Sequence, residues 1–143
     1  MIGTIVECVK EQSQKEHYLK GDLSVIITGD FNVIGENDEY KNSFVPSLSP
    51  MRDAYRTTFP DSKLHPGFTH DPSINSISGG HSGQRLDYIF VDDEIDLAKS
   101  KVHVDVVYEE GFENDKGLSD HFLVRLDGVI AENRNENEND GSF

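Results

Sequence analysis

The sequence predicts an α+β domain, and three observations carry that reading. Residues 2–18 place Ile2, Ile5, Val6 and Val9 three and four apart with Glu, Lys and Gln between them, the periodicity of an amphipathic helix. Leu23 to Thr28 (LSVIIT) is then an apolar run of strand length. Arg85–Val91 and Lys101–Tyr108 alternate apolar and polar residues, the period of two expected of strands. At 143 residues the chain is long enough for one domain of ordinary size.

Taken in order, Gly21 closes the first helix as a left-handed cap. The run at 23–28 reads as a strand buried on both faces, as in a helix-flanked sheet, and Gly29-Asp30-Phe31-Asn32 follows at its carboxyl end. Residues 36–44 suit a short helix opening near Asn37 or Asp38, and Pro46 and Pro50 bracket a turn. Residues 51–59 fit helix and strand equally well. From Pro60 to Gln84 the chain is rich in Gly, Pro, Ser and Asn, which predicts a loop with a short strand near Phe68 and Thr69. A loop of that length in a compact domain is functional or mobile. In Arg85–Val91 the side chains of Leu86, Tyr88 and Phe90 share one face, with Asp87 and Ile89 on the other. Residues 109–117 form an acidic loop and 121–130 hold a third strand. Residues 131–143 carry one Arg, four acids and no apolar face, so they read as a disordered, Asn- and Glu-rich tail beyond a domain of residues 1–130.

Thirteen Lys and Arg against 27 Asp and Glu give a formal charge of −14. That balance excludes a strongly basic nucleic-acid module and a polybasic membrane patch. No apolar run approaches the ~20 residues that span a bilayer. Residues 1–10 (MIGTIVECVK) are too short and too mixed for a signal peptide, and the compartment stays open. A single cysteine, Cys8, excludes an intrachain disulfide and a Cys-based zinc cluster.

Three short segments put a carboxylate or an imidazole at a strand end: Gly29-Asp30-Phe31-Asn32, Arg85-Leu86-Asp87-Tyr88 and Ser119-Asp120-His121. Ligands of open α/β sheets bind beyond the carboxyl ends of the strands. With Phe31 turned to the core, Asp30 and Asn32 can face one pocket. Neighbouring residues of a strand point to opposite faces, so Asp120 is not the partner of His121, and Asp87 is the natural one. A histidine held by a carboxylate keeps one tautomer and a raised pKa, which suits acid or base work. Asp30 and Asp120 offer oxygen ligands to a hard divalent cation such as Mg²⁺. Each segment also has a plain reading: a turn at Asp30-Phe31-Asn32, a surface ion pair of Arg85 and Asp87, a strand start at Ser119-Asp120. Their occurrence together, in order, at predicted strand edges favours a site. Elsewhere, His17 is solvated on the first helix, and His65, His70 and His81 lack the spacing of a zinc site. His70 and Asp71 can contact substrate. His103 falls on the polar face of its strand, and Glu109, Glu110, Glu113 and Asp115 belong to a solvated loop.

With these segments in hand, IITGDFNV at 26–33, MRDAY at 51–55, GFTHD at 67–71, QRLDYIFV at 84–91 and LSDHF at 118–122 make the chain resemble the endonuclease/exonuclease/phosphatase superfamily, the DNase-I-like metal-dependent phosphoesterases. The resemblance spans about 23–127. It implies half of a four-layer α/β sandwich, mostly antiparallel or mixed sheet with flanking helices. It assigns Asp30 to orient the attacking water, Asn32 to bind the phosphoryl oxygens and Asp87 to orient His121. His121 becomes a general base or a stabiliser of the pentacovalent transition state. Asp120 joins Asp30 in holding Mg²⁺ or Mn²⁺, and the reaction is in-line attack of water on a phosphodiester. The family's N-terminal half supplies a metal-binding Glu and further phosphate ligands that nothing before residue 23 matches. The resemblance therefore implies the C-terminal half of such an enzyme, with the N-terminal half of the same fold as its partner. An uncovered apolar sheet face, at ~25 cal/mol per Å², would lower stability or drive association. FTHDPSIN at 68–75, the Gly/Ser loop after it and QRLDYIFV resemble the sphingomyelinase-like branch most, which implies a phospholipid phosphodiesterase. The alternatives are a nuclease of the same chemistry, disfavoured by the net charge because phosphate neutralisation needs Lys and Arg, and a catalytically incomplete half-domain that only binds a partner.

Overall fold

In the computed structural model, residues 24–105 and 118–128 are described. The expected helix at 2–18 with its Gly21 cap, the loop at 109–117 and the tail at 131–143 lie outside these residues.

A three-stranded antiparallel sheet forms the centre, in the order β1-β3-β2, from β1 (Ile26–Asp30), β2 (Arg52–Asp53) and β3 (Asp87–Val91). A second, two-stranded antiparallel sheet pairs β4 (Lys101–Asp105) with β5 (Leu123–Asp127). Between β1 and β2 the chain makes a π-helical segment, Tyr40–Phe44, that runs into α1 (Val45–Ser47). Asn37 starts it: its side-chain oxygen accepts from the Tyr40 N–H at 2.7 Å, the capping work expected of Asn at that place. Pro46 sits near the start of α1, a place proline tolerates, and the turn expected between Pro46 and Pro50 follows at 48–50. The ambiguous stretch 51–59 is both things in turn, β2 and then α2 (Ala54–Thr58), with Asp53 as the cap between them. The expected strand at Phe68–Thr69 is a single bridge one residue later, His70 to Gln84.

The strand buried on both faces is β3, not β1. Tyr88 and Phe90 enter one cluster with Val33, Tyr40, Phe44 and Leu48 under the helical layer. Ile89 and Val91 enter the other with Ala54, Ile95, Leu97 and Val102, against which Val124 and Leu126 of the second sheet pack. Helical layer, three-stranded sheet and two-stranded sheet thus stack in that order, an α+β arrangement. β1 pairs only with β3 among the described strands, and Ile26 stays 51% exposed. An apolar run reports that a strand is hydrophobic; which strand is central is decided by pairing partners far along the chain.

Candidate active site

The register of β1 on β3 creates the site. It sets Asp30 directly opposite Asp87 at the end of the ladder. Directly opposed residues of an antiparallel pair have Cβ atoms roughly 4.5–5.5 Å apart on one face, and like charges there repel. A cation between them relieves that repulsion. His121 supplies one when protonated: its Nδ1 lies 2.7 Å from Asp87 Oδ2. One oxygen or nitrogen from each of Asp30, Asp87 and His121 falls within 4.8 Å of the others.

β1 ends at Asp30. Asn32 reaches back to it through a left-handed turn (φ 54°), a conformation Asn tolerates better than most residues. Its N–H donates to Asp30 Oδ1 at 2.9 Å and its side-chain amide to Oδ2 at 3.3 Å. Asp30 and Asn32 therefore share one pocket by a turn and not by strand alternation, while Phe31 between them packs on Phe44, Tyr88 and Phe90.

His121 sits in a bend before β5, outside regular structure, and the loop at 69–78 holds that bend. The Phe122 N–H donates to the Thr69 carbonyl at 2.6 Å. The Asn75 amide donates to the Ser119 carbonyl at 2.6 Å, and the Ser78 hydroxyl donates to the Asp120 carbonyl. Thr69 Oγ1 in turn accepts from the N–H groups of Leu86 and Asp87, at 3.0 and 3.1 Å. One buried hydroxyl thus ties the loop to the strand of Asp87 while its carbonyl ties the loop to His121. Sequence reading passed over Thr69, Asn75 and Ser78, since Ser, Thr and Asn in a loop look like turn formers. The close run of polar residues FTHDPSIN was the available signal. Asp71 is buried, with Oδ1 accepting from the Ser73 N–H and hydroxyl, so it shapes the loop.

Burial alone would lower the pKa of His121. The hydrogen bond and charge of Asp87 outweigh it, with help from Asp30 and Asp120, and hold the imidazole above its usual range. In metal-free protein, an NMR titration of the His121 ring should give a midpoint above the ordinary ~6.5, and Asp87→Asn should bring it down. Because the folded value is the higher one, His121 stabilises the fold fully at pH below its unfolded value. That contribution fades as pH rises through the raised one. An unshifted midpoint in the parent protein, or no change in the variant, would contradict the pairing.

Asp120 is exposed and lies outside the trio, close enough for its charge to act on His121. Arg85 is not a surface partner of Asp87. It is 2% exposed, with Nη1 2.6 Å from Asp53 Oδ2 and Nη2 3.0 Å from Glu36 Oε1. The Tyr40 hydroxyl donates to the same Asp53 oxygen at 2.6 Å. Arg85 also lies over the Tyr88 and Tyr40 rings, 4.6 and 5.0 Å from their centroids. Burial, then the Asp53 carboxylate, push the Tyr40 hydroxyl well above its usual range. This is a buried framework under β3, not part of the pocket.

A sequence profile of the endonuclease/exonuclease/phosphatase family matches residues 12–121, most of the chain. The chain belongs to that family. No curated protein and no solved structure matches it. The fold of the endonuclease/exonuclease/phosphatase family is DNase-I-like, and the stacked sheets described above are an α+β arrangement consistent with it. Its members are hydrolases of phosphoesters and typically depend on a divalent metal. The donor set here fits such an ion. Hard cations of the Mg²⁺ type need one or two carboxylates and keep water or phosphate oxygens in the remaining positions, and Asp30 is a carboxylate not consumed by His121.

Proposed function

We propose that the chain carries the catalytic groups of a metal-dependent phosphodiesterase acting on a phospholipid of sphingomyelin type. The observation that supports the chemistry is the Asp87–His121 pair at 2.7 Å beside Asp30, directly across the ladder. In this reading Asp30 accepts a hydrogen bond from the attacking water and aligns it opposite the leaving oxygen. Asn32 donates its amide to a phosphoryl oxygen. Asp87 fixes the ring of His121, which then acts by donating to the charge that grows on the phosphoryl oxygens or as a general base. Asp30 and Asp120 would hold Mg²⁺ or Mn²⁺, which when bound supplies Lewis-acid stabilisation of the same charge.

The lipid half of the reading rests on what surrounds the pocket. Ile34 stands two residues past Asn32, Phe68 two residues before His70, and Leu118 just before Ser119-Asp120-His121; all three are exposed. Ile34, Gly35, Pro66 and Phe68 line an open cleft of about 230 Å³. The Phe68 ring lies so close on Gly83 that a Cβ there would stand 2.2 Å from a ring carbon, which fixes the ring at the rim. Among the described residues no Lys or Arg is paired with Asp30, Asp87 or His121, and Arg85, in the cleft wall, is already paired with Asp53 and Glu36. An apolar rim suits a lipid better than a polyanion.

The test is incubation with Mg²⁺ and either sphingomyelin vesicles or DNA and RNA. Release of phosphocholine is the expected result. Cleavage of nucleic acid alone would replace the lipid reading by a nuclease, and cleavage of neither would replace it by the catalytically incomplete half-domain.

A further inference from the structure

His70 stands against His121 and has no part in the chemistry above. The two rings are 5.3 Å apart between centroids and meet edge to face at 66°. The backbone of His70 is fixed from both sides. Its N–H donates to the Gln84 carbonyl at 3.0 Å, and the Gln84 N–H donates to the His70 carbonyl at 2.8 Å. Thr69, one residue earlier, carries the bonds to Asp87 and Phe122 already described. The His70 ring is therefore placed relative to Asp87 and His121 by the same anchor that places those two relative to each other.

The ring's two nitrogens are not equivalent. Nδ1 is buried and has no hydrogen-bond partner among the described residues, whereas Nε2 is not sealed off in this way. An orphaned acceptor is tolerated in buried positions more readily than an orphaned N–H. The tautomer that leaves a lone pair on Nδ1 puts the ring hydrogen on Nε2, where it is a donor.

We propose that His70 is a further catalytic residue whose Nε2–H donates a hydrogen bond to a non-bridging oxygen of the phosphoryl group set between Asp30 and His121. The inference rests on the reading of this pocket as a phosphoester site. It gives the reacting group a second imidazole donor, alongside His121, on a separate and rigidly held segment.

Two variants separate a donor from mere ring packing. His70→Phe keeps an aromatic ring against His121 and removes the donor; His70→Gln removes the ring and returns an N–H near the place of Nε2. Loss of one such donor typically costs about 10²-fold in kcat. His70→Phe should show a loss of that order with KM within about threefold, and His70→Gln should recover most of it. His70→Phe within threefold of the parent, with His70→Gln the impaired variant, would reduce His70 to packing and overturn the inference. A second readout needs no turnover: ¹⁵N NMR of the histidine rings during titration with inorganic phosphate in Mg²⁺. The expected result is an Nε2-protonated His70 whose Nε2 resonance moves with phosphate, and about tenfold weaker phosphate binding by His70→Phe. If diesters are cleaved but neither kinetics nor the phosphate titration depends on His70, this inference falls and the hydrolase reading stands. If no diester is cleaved and phosphate still moves the His70 resonance, the hydrolase reading falls and the oxygen contact stands.

Discussion

His121→Ala and Asp30→Asn should each lower phosphodiester hydrolysis by at least about 10²–10³-fold, the cost of one lost transition-state group. The two losses arise differently. His121→Ala removes the donor and leaves Asp87 facing Asp30 with nothing positive between them. Asp30→Asn keeps the shape, and even the ladder, but withdraws the charge that aligns the water and turns one of the two oxygens that accept from Asn32 into an NH2 donor. The double variant should be little worse than the poorer single one, because groups acting on one transition state are not additive. Urea unfolding of both proteins should stay close to that of the parent, since Asp30 lies at the exposed end of a ladder and His121 in a bend outside the two core clusters. Rates within threefold of the parent for both variants would mean that the chemistry happens elsewhere.

Arg85→Met should unfold the protein by an amount out of proportion to its distance from the pocket. Removing one partner from a buried ion pair costs about 3–5 kcal/mol, because the other charge is left in a dry interior. Here the buried Asp53 loses its cation and keeps only the Tyr40 hydroxyl, while Glu36, partly exposed, keeps its ion pair with Arg56. Lys at this position should not rescue it. The guanidinium reaches both carboxylates with two nitrogens while standing over two rings, a geometry an ammonium lacks. A denaturation midpoint within about 1 kcal/mol of the parent would show that the network contributes little.

How far the sequence disclosed this arrangement depends on how local each signal is. The strands with alternating patterns lie where that pattern puts them, because period two is a property of six or seven consecutive residues. Tyr88 and Phe90 do face one way and Ile89 the other. The pairing of His121 with Asp87 was legible by elimination, although His121 is in a bend and not in a strand. The misreadings concern relations between distant residues. The partners of Arg85 are 32 and 49 positions away, so nothing near it announces that its charge is buried. The centrality of β3 over β1 is likewise set by which strands flank it. The loop at 69–78 gave only its composition, and its task of holding the bend of His121 becomes visible once Ser119 and Asp120 lie beside it.

The anchoring of that loop by Thr69, Asn75 and Ser78 has a consequence for how this protein can change. Beyond Ser78 the segment 79–82 is exposed, and a Cβ added at Gly79 would meet nothing within 4 Å. Its tip can diversify, lengthen or acquire new side chains while the moorings keep the imidazole in register. The tolerance of change and the task of holding His121 thus fall on separable stretches of one loop, so that evolution, or a designer, can rewrite the first without disturbing the second.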